Sequence, residues 1–127
     1  TARKMTVSEV WWWNGTTAGG NVDVGIYDRA GTRIQSLGST ARGSVSTVVS
    51  STTWTDLILE AGEYYMAFAV NGTNNIQATA SAAGLCEALG ICEMTSAFAL
   101  PATATLSRTT RAYIPAFGLR WSTVAAS

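Results

Sequence analysis

Two stretches decide the fold class: Gly20–Asp28, GNVDVGIYD, and Leu57–Val70, LILEAGEYYMAFAV. In the first, Val22, Val24 and Ile26 alternate with Asn21, Asp23, Gly25 and Tyr27, the period-two pattern of a half-buried strand. Asp28-Arg29-Ala30-Gly31 supplies a turn at its end. In the second, Leu57 and Leu59 lead into the turn Glu60-Ala61-Gly62-Glu63. Beyond it Tyr64, Met66, Phe68 and Val70 share one face, with Tyr65, Ala67 and Ala69 on the other. Strands joined by short turns, with no helical period, predict an all-β fold: an antiparallel β-sandwich of jelly-roll type with seven or eight strands.

Working outward, Lys4–Trp13 reads as the first strand. Its apolar side switches from Met5 and Val7 to Val10 and Trp12, which calls for a β-bulge near Glu9 or burial on both faces. Asn21–Tyr27 and Thr32–Leu37, with Ile34 inward, form a hairpin. Val45–Ser50 and Thr53–Leu59 follow as strands. Glu63–Val70 is the expected middle of a sheet, and Asn75–Ala80 continues extended. Ser81–Leu100 is Ala-rich and fits a helical turn around Glu87-Ala88-Leu89. Ala102–Leu106 reads as a strand, and Ile114-Pro115 introduces the last one, with Phe117, Leu119 and Trp121 inward. Trp54 and Trp121 read as core residues. Residues 1–127 form one domain, without a repeat.

The 127 residues hold eight basic and eight acidic side chains, so the net charge is zero. A neutral chain with no charge run offers no electrostatic footprint for nucleic acid or an anionic membrane. Arg108, Arg111 and Arg120 read either as a small basic patch or as solvated strand-edge charges. Charged residues make up 13%, about half the usual share, and Ser, Thr, Ala and Gly take their places. Such a surface suits faces covered by copies or partners. No run approaches the roughly twenty apolar residues of a membrane span. Thr1 at the start fits either loss of an initiator methionine or cleavage from a longer precursor.

Histidine is absent. That removes the usual general base, any Ser-His-Asp or Cys-His triad and the commonest transition-metal ligand. The eight carboxylates are scattered and fall mostly at turns, and no phosphate-binding glycine loop is present. No enzymatic role, cofactor or metal is expected. A calcium site on Asp23 or Asp28 would lack a dedicated loop. Cys86 and Cys92 stand close enough to bridge a small loop, or remain two buried thiols; an extracellular setting favours the bridge. In Trp11-Trp12-Trp13, a regular strand turns Trp12 away from the face that Trp11 and Trp13 share. Burial of both faces within the domain competes with a subunit contact, and stacking on a sugar ring is a further reading.

Several segments together resemble small β-sandwich domains of tailed-bacteriophage virion proteins. They are Gly20–Asp28 followed by Gly31-Thr32-Arg33; Leu59, Gly62 and Tyr64-Tyr65-Met66-Ala67; Ala99-Leu100-Pro101-Ala102-Thr103; and Tyr113-Ile114-Pro115-Ala116-Phe117-Gly118-Leu119. They span most of the chain in the family's order, while the cysteine-bearing segment has no counterpart. The resemblance implies a non-enzymatic virion protein on the outer surface of the particle, made in the host cytoplasm. With only Thr1–Thr6 ahead of the sandwich body, a capsid decoration protein is expected over a tail-fibre tip. Its partners would be the major capsid protein and copies of itself, as a dimer or trimer. The alternative is a receptor-binding domain that holds host surface glycans. The expected contacts are Trp11, Trp12, Trp13, Arg108 and Arg111, with the Cys86–Cys92 loop beside them.

Overall fold

The computed structural model describes residues 4–17, 19–72, 78–80, 82, 86, 88, 90–94, 98–109 and 113–124. Two antiparallel sheets are each built around one long strand. In the first, β1 (Lys4–Asn14) is flanked by β12 (Phe117–Val124) on one side. On its other side lie β5 (Thr47–Ser50) and β6 (Leu57–Leu59), end to end. In the second, β2 (Asn21–Asp28) is flanked by β7 (Tyr64–Val70) on one side and by β3 (Arg33–Ser36) and β4 (Thr40–Ala41) on the other. Two ribbons complete the set: β8 (Ala78–Ala80) with β11 (Tyr113–Pro115), and β9 (Cys92–Glu93) with β10 (Ser107–Arg108).

The expected all-β sandwich is found. Among the described residues the strands number twelve because several rows are broken into pieces of two to four residues. Each main sheet is three rows wide, and a jelly-roll winding does not show in these pairings. Cys86 and Ala88 lie in helical backbone, while Glu87 and Leu89 of the expected turn lie outside the described residues.

The core lies between the two long strands. Val7, Val10 and Trp12 from β1 pack with Val22, Val24 and Ile26 from β2, and Trp54 and Leu59 close the cluster. At its margin the rings of Phe68 and Phe117 meet with centroids 5.4 Å apart, joining β7 to β12. The face switch in β1 is a bulge: Val7 pairs with Trp121 and Glu9 with Arg120, leaving Ser8 as the extra residue. The bulge puts Val7 and Val10 on the same side although three positions separate them. Along the same stretch β5 and β6 part, and the connector 51–56 drops Trp54 into the gap. Its indole N–H donates to Val7 O at 3.1 Å.

Five sequence expectations are corrected. β2 is buried on both faces, not half-buried: Asp23 is 0% and Tyr27 1% exposed. Residues 98–104 lie over its second face; Thr103 makes a single bridge to Thr32, so the expected strand over 102–106 is a strap. Among the described residues β7 is at the edge of its sheet, and β1 and β2 take the middle. Ile34 is 40% exposed because it is the extra residue of a second bulge, where Gln35 pairs with Ile26 and Arg33 with Tyr27. Trp121 keeps the inward parity of Val7 but is 54% exposed, since β12 is the outermost row.

The strap is held by polar groups of β2 and β3. Asp23 Oδ2 accepts from Leu100 N at 2.9 Å, and Oδ1 accepts from Gly38 N at 2.9 Å. Tyr27 Oη donates to Pro101 O at 2.6 Å, and the Arg33 guanidinium donates to Leu100 O. Gly25 leaves room for the Leu100 side chain: a Cβ there would stand 2.8 Å from Leu100 Cδ1 and 2.8 Å from Gln35 O. A strand patterned for one buried face is thereby covered on both.

Candidate interaction surface

Strand parity places Trp12 in the core and turns Trp11 and Trp13 to the outer face of the first sheet. Trp12 is 1% exposed and its Nε1 donates to Arg42 O at 3.1 Å. It is therefore a core residue and leaves the set of expected contacts. Residues opposite one another in a ladder share a face, so the register maps the outer surface row by row. Trp13 pairs with Val48 on one side and meets Ala116 on the other, through a main-chain bond of 2.9 Å to Ala116 O. In the next row Trp11 sits between Ser50 and Gly118. The row beyond carries Glu9 and Arg120, joined by an ion pair of 3.2 Å. Thr6, with Ile58 beside it, follows.

The surface so built is an apolar end, Trp11, Trp13 and Val48, bounded by a charged row. Val48 and Ile58 are exposed, while Trp11 and Trp13 are half-buried. The Trp11 ring lies on Gly118: a Cβ at that position would come within 2.8 Å of Cζ2. The Trp13 indole N–H is buried and has no hydrogen-bond partner among the described residues. A buried donor left this way costs free energy. Gly118→Val is expected to displace the Trp11 ring and leave the core intact. In an amide correlation spectrum the Trp11 indole resonance should move while those of Trp12 and Trp54 stay.

The remaining expected contacts are not gathered here. Arg108 is exposed on β10, opposite Cys92, and Arg111 lies outside the described residues. Cys86 is buried and Cys92 exposed, each as a thiol, on either side of the Gly90 turn. Sequence reasoning missed Val48 and Ile58, whose facing depends on cross-strand register. Alternation within 45–50 was the local signal for Val48.

No described group of three potential ligands stands close enough to hold a metal. Asp23 is engaged with Leu100 N and Gly38 N, and Asp28 Oδ1 accepts from Ala30 N and Thr32 N, both at 2.9 Å. A shallow cleft of about 150 Å³ opens at Met5, Leu59, Glu60, Ala61, Gly62 and Tyr64. It is smaller than the roughly 300 Å³ at which ligand pockets begin. No family model, curated protein or solved structure matches the chain.

Proposed function

We propose that the chain is a non-enzymatic virion structural protein of a tailed bacteriophage, a capsid decoration protein bound to the lattice of the major capsid protein. The observation that carries this reading is the outer face of the first sheet, where Trp11, Trp13 and Val48 form an apolar patch beside the Glu9–Arg120 pair. Buried aromatics ringed by polar groups are the usual energetic centre of a protein interface. A chain with 13% charged residues has little repulsion to overcome when copies crowd on a lattice. The resemblance to small virion sandwiches supplies the partner. The carboxylates in or at the end of β2 serve main-chain N–H groups, which favours a structural role over catalysis.

Such a protein stabilises a shell by burying its patch across capsid subunits, so that their separation must first expose it again. The test is binding to purified phage heads stripped of accessory proteins. Saturable, stoichiometric rebinding that raises the heads' resistance to heat or low salt is expected. Retention on host cells or their surface glycans, with no rebinding to heads, would overturn the decoration role in favour of receptor binding.

A further inference from the structure

Among the described residues, one full edge of β7 is left unpaired. Asn71 N donates to Asn21 O at 3.2 Å, which makes residues 21 and 71 a hydrogen-bonded pair. Hydrogen-bonded and non-hydrogen-bonded pairs alternate along an antiparallel ladder. Counted through the register from Val22↔Val70 to Asp28↔Tyr64, the main-chain groups of Tyr65, Ala67 and Ala69 point to β2. Those of Tyr64, Met66, Phe68 and Val70 point away from it. The other side of β2 agrees: Val24 O accepts from Leu37 N, and Asp28 N donates to Thr32 O. Among the described residues no strand pairs with the outer side of β7. None of its outward main-chain groups is bonded by a described residue.

This edge, YYMAFAV, has no charge, proline, glycine or bulge, and Met66 on it is 46% exposed. Soluble proteins blunt such edges or cover them. The edge of β12 differs, because it carries Arg120 and its strand continues from β11, which β8 already pairs.

We propose that β7 pairs antiparallel with β7 of a second copy, about a twofold axis through Ala67. In that register Tyr64 stands opposite Val70 and Met66 opposite Phe68. All four outward-pointing residues then fall in hydrogen-bonded pairs, each exchanging two bonds. The edge is complementary to itself in charge as well. Glu63, paired with Arg29 at 3.4 Å, falls opposite Asn71 of the second copy, so no like charges face each other. Asn71 Oδ1 is taken by Asn21 N at 2.7 Å, which leaves its amide N–H groups to meet the Glu63 carboxylate. A seven-residue edge is about 24 Å long and buries roughly 1,000 Å² in total. That is the low end for a specific interface, so the dimer forms in a concentration-dependent way. The proposal goes beyond the capsid reading and rests on sheet geometry alone, so either can fail without the other.

In this register Ala67 faces itself in a non-hydrogen-bonded pair, with Cα atoms about 4.5 Å apart, within disulfide range. In the full chain carrying Cys92→Ala, Ala67→Cys should cross-link two chains under mild oxidation. Ala69→Cys should not, because its counterpart lies about 14 Å away. Sedimentation should show a concentration-dependent dimer for the unmodified chain. Met66→Lys should weaken it at least about tenfold, with an unchanged circular dichroism spectrum. A chain that stays monomeric to its solubility limit would overturn the proposal. So would cross-linking at position 69 as efficient as at 67, or a Met66→Lys dimer as tight as the original.

Discussion

Trp12→Ala is expected to destabilise the fold by about 4 kcal/mol, the middle of the range for removing a buried aromatic. The side chain is 1% exposed between the two central strands, so its loss leaves a cavity among Val10, Val22 and Val24, residues of the same cluster. It also removes a donor. Arg42 O accepts from Trp12 Nε1 at 3.1 Å and from Asn14 Nδ2 at 2.6 Å, and Asn14 Nδ2 reaches Ser44 O at 2.8 Å. The loop after β4 is thus moored by two neighbouring inward side chains of β1. Against a total stability of about 5–15 kcal/mol, the loss leaves a marginal protein. Trp12→Phe keeps most of the packing and loses the N–H, so about 1–2 kcal/mol is expected. Trp11→Ala, on the outer face, should cost far less than Trp12→Ala. Urea denaturation of the three variants checks the order, and equal losses for Trp11→Ala and Trp12→Ala would refute the assignment of faces.

Asp23→Ala carries the second large effect, about 3 kcal/mol, because two buried main-chain N–H groups lose their acceptor. For a chain of this size that is a fall in Tm of roughly 10 °C. Local exchange should rise first at Leu100 and Gly38, whose amides the carboxylate holds. The group also sets a pH dependence. Burial pushes the Asp23 carboxyl above its ordinary value, while the N–H groups of Leu100 and Gly38 and the Arg33 charge pull the other way. A carboxyl raised in the folded state adds stability below its unfolded value, near 3.9. That contribution is lost as pH rises through the folded value. Asp23→Asn removes the titration, and one of its amide donors would face an N–H. The stability gap between the original chain and Asp23→Asn should therefore be widest below about pH 4 and narrow to a constant level towards neutrality. Thermal melts of both proteins from pH 3 to 8 check this, and a gap that widens with rising pH would contradict it.

How far the fold was legible depended on the range of the interaction. The face switch from Met5 and Val7 to Val10 and Trp12 is written in adjacent residues, and it became the bulge at Ser8. The second face of β2 was not readable, because Asp23, Gly25 and Tyr27 look solvent-facing until residues 98–104 cover them. That cover comes from more than seventy positions along the chain, as the separation of 77 between Asp23 and Leu100 shows. Apolar residues on both faces of β7 suggested a central strand, yet their neighbour on one side is missing among the described residues. For Trp121, alternation gave the correct parity but not the exposure, which follows from the place of β12 at the margin. The interaction surface was legible in the same measure. Parity separated Trp12 from Trp11 and Trp13, whereas Val48 joined them only through the pairing of β1 with β5.

That surface is the centre of the account, and Val48→Lys tests it most directly. Val48 is 53% exposed and opposite Trp13, so a lysine there places charge in the patch without disturbing the core. The measurement is saturable rebinding of the original chain and of Val48→Lys to stripped phage heads, with matching thermal melts. Loss of rebinding by at least about tenfold for Val48→Lys, with its melting temperature unchanged, is the predicted result. Equal rebinding of both chains would contradict the claim that the Trp11–Trp13 face meets the lattice.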